Sequence, residues 1–141
     1  MSGISEPYLV DTSVWIEYLR GTGSAAHREL RDLLHHEPHR VTVTEPVTME
    51  ILSGETSPIA VAQVEMLLGG LRRISFDATA DFHAAAAVYR AARAAGITVR
   101  TLLDCMIAAV AIRNDVMLLH RDRDYEHLAD VVPQLRTRSL R

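Results

Sequence analysis

Short apolar runs alternate along this chain with segments of helical periodicity, and that alternation constrains the fold more than any other feature. Strands are expected at 8–10 (YLV), 40–44 (RVTVT), 71–76 (LRRISF) and 116–120 (VMLLH), with 135–139 (LRTRS) as a candidate edge strand. Each run is brief, apolar or β-branched, and bounded by polar or turn residues, as buried strands are. Helical patterns fill 12–20, 25–36, the stretch from the Thr44 cap to Leu52, and Ser57-Pro58 to about Leu68. They continue at about 79–95, where Gly96 provides a stop, and at 102–114 and 124–129. Strands that alternate with helices in this way make an α/β fold around a mainly parallel sheet of about four to five strands. The 141 residues suffice for one substantial core, so residues 1–141 are read as a single domain.

Bulk composition excludes more than it selects. No run of about 18 apolar residues could span a membrane, and no basic segment followed by an apolar stretch marks a secretion signal. The single cysteine, Cys105, cannot form an internal disulfide, which fits a reducing, cytoplasmic setting. The formal net charge of −3 does not advertise a nucleic-acid binder. All fifteen basic residues are arginine. Arginine suits phosphate, though a GC-rich genome produces the same bias. The absence of lysine excludes a phosphate-loop NTPase, which needs a Gly-Lys pair opening a helix. It also disfavours the phosphoaspartate folds, which place an Asp at a strand end but use a lysine beside it.

Several apparent motifs dissolve on inspection. The stretch GTGSAA (21–26) matches G-x-G-x-x-A but follows a helix rather than a strand, so it lacks the context of a dinucleotide site. In HHEPH (35–39) the His36 and His39 spacing is three, with Pro38 between, which is wrong for a helical zinc pair. Cys105 sits in an apolar helix and reads as a small core residue.

The carboxylates are harder to dismiss. Asp11 follows the first strand directly, and Asp122 follows the strand at 116–120 in the same way. Helix capping explains either one, with Asp124 an equal candidate beside Asp122. Asp104 lies in TLLDCMIAAVAI, where nearly every neighbour is apolar. The helix dipole offers a first-turn anion about 1 kcal/mol, less than the several kcal/mol that burial of an unpaired carboxylate costs. Asp104 therefore needs an arginine or a cation. Glu50 repeats the theme in VTMEILSG, a short helix after the second strand. All four can converge beyond the carboxyl ends of parallel strands, where open α/β sheets bind ligands. Four crowded carboxylates require protonation or a hard divalent cation, and Mg2+ or Mn2+ prefers such oxygen ligands. A centre of that kind activates water and stabilises charge on a phosphoryl oxygen, which leads to phosphodiester chemistry.

At this point LVDTSVWIEYL, VTMEILSG, TLLDCMIAAVAI and LLHRDRDYEHLA resemble, in order and spacing, the four acidic motifs of PIN-domain ribonucleases. The closest likeness is to the toxin member of VapBC toxin–antitoxin pairs, and it spans nearly the whole chain. The resemblance implies a three-layer α/β/α PIN-like domain. It also implies an acidic catalytic quartet of Asp11, Glu50, Asp104 and Asp122, with Asp11 and Asp104 as the Mg2+ ligands and Mn2+ as the alternative metal. Thr12 or Ser13 would orient a water, Asp124 matches a second acid of the last motif, and Arg121 and Arg123 are candidate phosphate contacts together with Arg136, Arg138 and Arg141. Tyr125 stands where the family usually has phenylalanine, and Cys105 where a small residue is common.

The activity so implied is in-line hydrolysis of RNA, tRNA or another structured target, by metal-activated water, leaving a 5′-phosphate and a 3′-hydroxyl. A small cognate antitoxin would hold the enzyme inactive through a groove that Trp15, Ile16, Tyr18 and Leu19 can line, although Trp15 and Ile16 read better as core. Homodimers, and hetero-oligomers with the antitoxin, are the expected assemblies. Two alternatives stand beside this reading: a non-catalytic binding module on the same scaffold, and a housekeeping RNA-processing nuclease.

Overall fold

The chain runs from β1 (Tyr8–Val10) into α1 (Thr12–Arg20) and α2 (Ala25–His36), then through β2 (Val41–Val43) to α3 (Glu45–Ser53) and α4 (Pro58–Gly69). It continues through β3 (Arg72–Arg73), α5 (Asp81–Ala94), α6 (Leu102–Arg113), β4 (Met117–His120), α7 (Arg123–Val131) and β5 (Thr137–Ser139). This computed structural model describes residues 6–141. The five strands form one sheet in the order β3-β2-β1-β4-β5, and every pairing is parallel.

That order fixes where a site can form. From β1 the chain steps outward to β2 and β3, then crosses back to lay β4 and β5 on the other side of β1. The direction of winding reverses between β1 and β4, and the loops leaving these two strands diverge to open a crevice at their carboxyl ends. The register sets the two ends side by side, with Val10 opposite Leu119. The Asp11 amide then donates to the Leu119 carbonyl at 2.9 Å. Helices α1 to α4 pack among themselves, as do α5, α6 and α7. Right-handed crossovers put the two groups on opposite faces of the sheet, giving three layers, α/β/α.

The core forms because the strands carry apolar residues toward both faces. Leu9, Val10, Val41, Leu118 and Leu119 are fully buried. Val14, Trp15, Leu30 and Val47 are buried among α1, α2 and α3. In α6, Ile107 through Ala111 are all buried, so this helix is covered on nearly every side, as its unbroken apolar sequence requires. The small side chains of α6 let α5 approach closely, and these two helices share an extensive contact.

The third strand is shorter than its apolar pattern suggests. Only Arg72 and Arg73 pair, with the Ile74 amide donating to the Val43 carbonyl beyond them. This is an edge strand whose two arginines point to solvent, a placement that discourages further pairing. The Phe76 amide leaves the ladder and donates to Glu45 instead, which ends the strand. At the second strand, Arg40 belongs to a 3-10 turn at Pro38–Arg40 rather than to the sheet.

Candidate active site

Asp11 is the first residue past β1, and its extended backbone makes it the cap of α1. One carboxylate oxygen, Oδ2, accepts from the Ser13 amide at 3.0 Å and the Ser13 hydroxyl at 2.6 Å. The other, Oδ1, accepts from the Tyr125 hydroxyl at 2.7 Å. Burial pushes this carboxyl above its ordinary range, against the hydrogen bonds from Ser13, Tyr125 and Thr12 that pull it down. Ser13 also accepts from the Arg121 amide at 2.9 Å, so its hydroxyl ties the end of β1 to the end of β4. Thr12 is buried beside it, and its hydroxyl has no partner.

Asp122 occupies the equivalent position after β4 and caps α7, accepting from the Asp124 amide at 2.9 Å. Capping is therefore real for both strand-end aspartates, and it is also what aims them into the crevice. Asp104 arrives from the first turn of α6, which Thr101 caps by accepting from the Leu103 amide. It is 7% exposed. Its carboxyl is pushed up to about 7, first by burial and then by the charges of Asp11, Asp122, Asp124 and Glu50. Glu50, on α3, is half-buried and adds its charge to the same effect.

The charges of Asp11, Asp122 and Glu50 are all felt by Asp104, but Asp11 and Glu50 do not belong to the tightest group of acids. Asp104, Asp122 and Asp124 each offer an oxygen within 4.8 Å of the others. Asp124 is the more buried of the two α7 acids. Its place in this group makes it an equal of Asp122, which its position in the sequence does not convey.

The cations around the site are asymmetrically placed. Arg100, just before the Thr101 cap, donates to both oxygens of Asp122 at 2.9 and 3.0 Å and to Asp124 at 3.1 Å. Asp104 has no such partner: among the described residues no arginine lies within ion-pair distance of it, and the one side-chain hydroxyl within hydrogen-bond distance is that of Tyr125, at 3.3 Å. Sequence reading missed Arg100. The available signal was its position immediately in front of a helix start, where the dipole disfavours a cation unless acids lie nearby.

Arg121 and Arg123 border the same open depression, with Arg100, Asp122, Asp124 and Arg141. Arg136 and Arg138 do not join them. Arg136 lies at the amino end of β5 and pairs with Glu6 and Asp115, while Arg138 pairs with Glu29. A parallel strand separates its two ends, and only Arg141 emerges on the side of the crevice.

Two other groups have clear roles. His120 is buried at the end of β4, its Nδ1 accepting from the Asp122 amide at 3.1 Å. Burial holds it below the ordinary histidine range. Cys105 is fully buried, and burial pushes its thiol up to about 11, so it is a packing residue.

Beside the site, a groove runs between α1, α2 and α4, lined by Tyr18, Leu19, His27, His35, Val64 and Leu67. A smaller depression lined by Ile16, Leu19, Glu50 and Glu55 connects it to the acids through shared Leu19 and Glu55. Trp15 lines neither, being wholly core.

The model of the PIN-domain family matches residues 8–131. Ribonuclease VapC11 of Mycobacterium tuberculosis is 48% identical over 123 residues, spanning 87% of this chain and 92% of that protein. The VapC ribonuclease Mb1587 of Mycobacterium bovis matches to the same extent. The crystal structure of DNA-bound VapBC from Salmonella typhimurium has the same fold, with a TM-score of 0.73 and 16% identity. It covers 96% of this chain and 99% of that one.

Proposed function

The chain belongs to the PIN-domain family, in its VapC ribonuclease branch, and from that premise we propose that it is a magnesium-dependent endoribonuclease, the toxin of a toxin–antitoxin pair. It hydrolyses RNA phosphodiesters, with tRNA or another structured RNA as substrate, and residues 1–141 act as one nuclease domain in the cytoplasm. No helix among the described residues is long and apolar enough to cross a membrane.

The observation that carries this reading is the environment of Asp104. A buried carboxylate among other carboxylates, lacking a protein cation, fits a site built for an exogenous one. The donor set tests the identity of that cation: the facing groups are carboxylate oxygens, with no thiolate or accessible imidazole among them. Such a set fits Mg2+ or Mn2+ and not a softer metal. Asp11 and Asp104 would hold the ion, with Glu50, Asp122 and Asp124 completing the negative shell. When bound, it supplies water activation and charge stabilisation at a phosphoryl oxygen.

The remaining work falls to the chain's own residues. Arg121, Arg123 and Arg141 rim the depression and offer phosphate contacts that orient the RNA strand. Arg100 neutralises Asp122 and Asp124, and its exposed guanidinium is within reach of an incoming phosphate. The Thr12 hydroxyl, buried and without a protein partner, is available to position water at the site. His120 is fully buried, with Nδ1 engaged and Nε2 shut away from solvent, so it is not placed to deprotonate a ribose 2′-hydroxyl. That favours hydrolysis by water, leaving a 5′-phosphate and a 3′-hydroxyl. The antitoxin partner fits the groove between α1, α2 and α4, which leads to Glu50 and so lets a bound segment reach the acids.

The test is digestion of total tRNA by purified protein in Mg2+ and in EDTA, with the fragment ends identified. Discrete fragments bearing 5′-phosphates, absent in EDTA, are expected. Fragments with 5′-hydroxyls, or cleavage indifferent to EDTA, would refute the mechanism.

A further inference from the structure

Tyr125 is fully buried on α7, in the last acidic motif, where the resemblance leads one to expect phenylalanine. A phenylalanine ring would fill the same space against His120, whose ring centroid lies 5.3 Å away. What the tyrosine adds is one hydroxyl in a place where an unpaired polar group is costly. Its partners are Asp11 Oδ1 at 2.7 Å and Asp104 Oδ1 at 3.3 Å, the two carboxylates assigned above to the metal. A phenol has a single proton to give. The shorter contact shows that Asp11 receives it, while the phenol oxygen stays in touch with Asp104.

The acceptor count on Asp11 sharpens the point. Oδ2 already takes two donors from Ser13, which fill its lone pairs. Oδ1 takes the phenol, its one side-chain donor. Tyr125 thus holds the Asp11 oxygen that Ser13 leaves free, and the same phenol lies 3.3 Å from Oδ1 of Asp104. We propose that Tyr125 is a positioning residue, whose hydroxyl fixes the Asp11 carboxylate beside Asp104 for a divalent cation. The assignment rests on the metal-centre reading above. Hydrogen bonds to ligating groups orient them, and losing one weakens metal affinity by about 10- to 100-fold. Without the hydroxyl, Oδ1 loses its one side-chain donor, and the carboxylate can turn about its Ser13 anchor.

The experiment is a Mn2+ titration of metal-free wild type, Tyr125→Phe and Asp11→Asn, with free aquo-Mn2+ counted by EPR. Thermal unfolding in EDTA is run alongside, and binding is measured well below each variant's midpoint. The ring is retained in Tyr125→Phe, so the variant keeps its apolar packing. The expected result is binding by wild type, loss in Asp11→Asn, and a Kd about 10-fold or more weaker in Tyr125→Phe. If wild type and Tyr125→Phe bind within twofold of one another while Asp11→Asn does not bind, the role assigned to Tyr125 is overturned and the metal centre stands. If wild type itself binds no Mn2+, the metal centre falls and the role of Tyr125 falls with it.

Discussion

At the scale of single residues, the site is a set of ordinary structural positions given a second use. Asp11 and Asp122 cap helices as aspartates commonly do, and the same backbone geometry directs them into the crevice. Asp104 is different, because its neighbours make it costly. In the metal-free protein its carboxyl holds a proton up to about pH 7, while in the unfolded chain it releases that proton near 3.8. The folded state binds the proton more tightly, so the stabilisation is complete below the unfolded value and is lost as pH rises through about 7. Metal-free protein should therefore lose stability between pH 5 and pH 8. Replacing Asp104 with asparagine should flatten that dependence and leave the variant more stable than wild type at pH 8, by about 2–4 kcal/mol. Urea midpoints in EDTA at the two pH values measure this directly. Parallel pH profiles for both proteins would mean that Asp104 is not strained in the way its surroundings indicate.

At the scale of elements, the long helices must be held so that α6 delivers Asp104 to the right point. Arg113, at the far end of α6, donates to both oxygens of the buried Asp81 at 2.9 Å and to the Ser75 carbonyl at 2.7 Å. This clasp joins α6 to the start of α5 and to the loop after β3. Arg113→Met leaves the Asp81 charge buried without its cation and should cost about 3 kcal/mol of stability. The clasp lies some 13 Å along the helix from Asp104, so Mg2+ affinity of the folded variant should stay unchanged. A stability loss below about 1 kcal/mol in urea would show that the pair merely decorates the surface.

The elements themselves were largely legible in the sequence, because strand and helix periodicities differ and the caps are written in Asp, Ser and Thr. The shortness of β3 was not, since its apolar pattern continues past the point where Phe76 turns its amide to Glu45. The acids were legible as anomalies of polarity. Arg100 and the phenol of Tyr125 were not, because each acquires its meaning from residues more than twenty positions away. The same holds for Arg136 and Arg138, whose nearness to Arg141 in the chain hides the length of strand between them.

At the scale of the whole molecule, the sheet order brings together what the chain spreads over more than a hundred residues. The reversal between β1 and β4 creates the crevice, α3 and α6 add Glu50 and Asp104 to it, and the arginines rim its mouth. The groove between α1, α2 and α4 opens toward the same place, so occupancy of one can govern access to the other. In the function proposed above, everything in this arrangement turns on a cluster of acids that gains its purpose from a cation. The most direct measurement is cleavage of total tRNA in Mg2+ by wild type and by Asp104→Asn, purified side by side through the same procedure. Wild type should give discrete fragments and Asp104→Asn at least 100-fold less of them while remaining folded. Equal cleavage by the two proteins would contradict the assignment of this acidic crevice as the ribonuclease site.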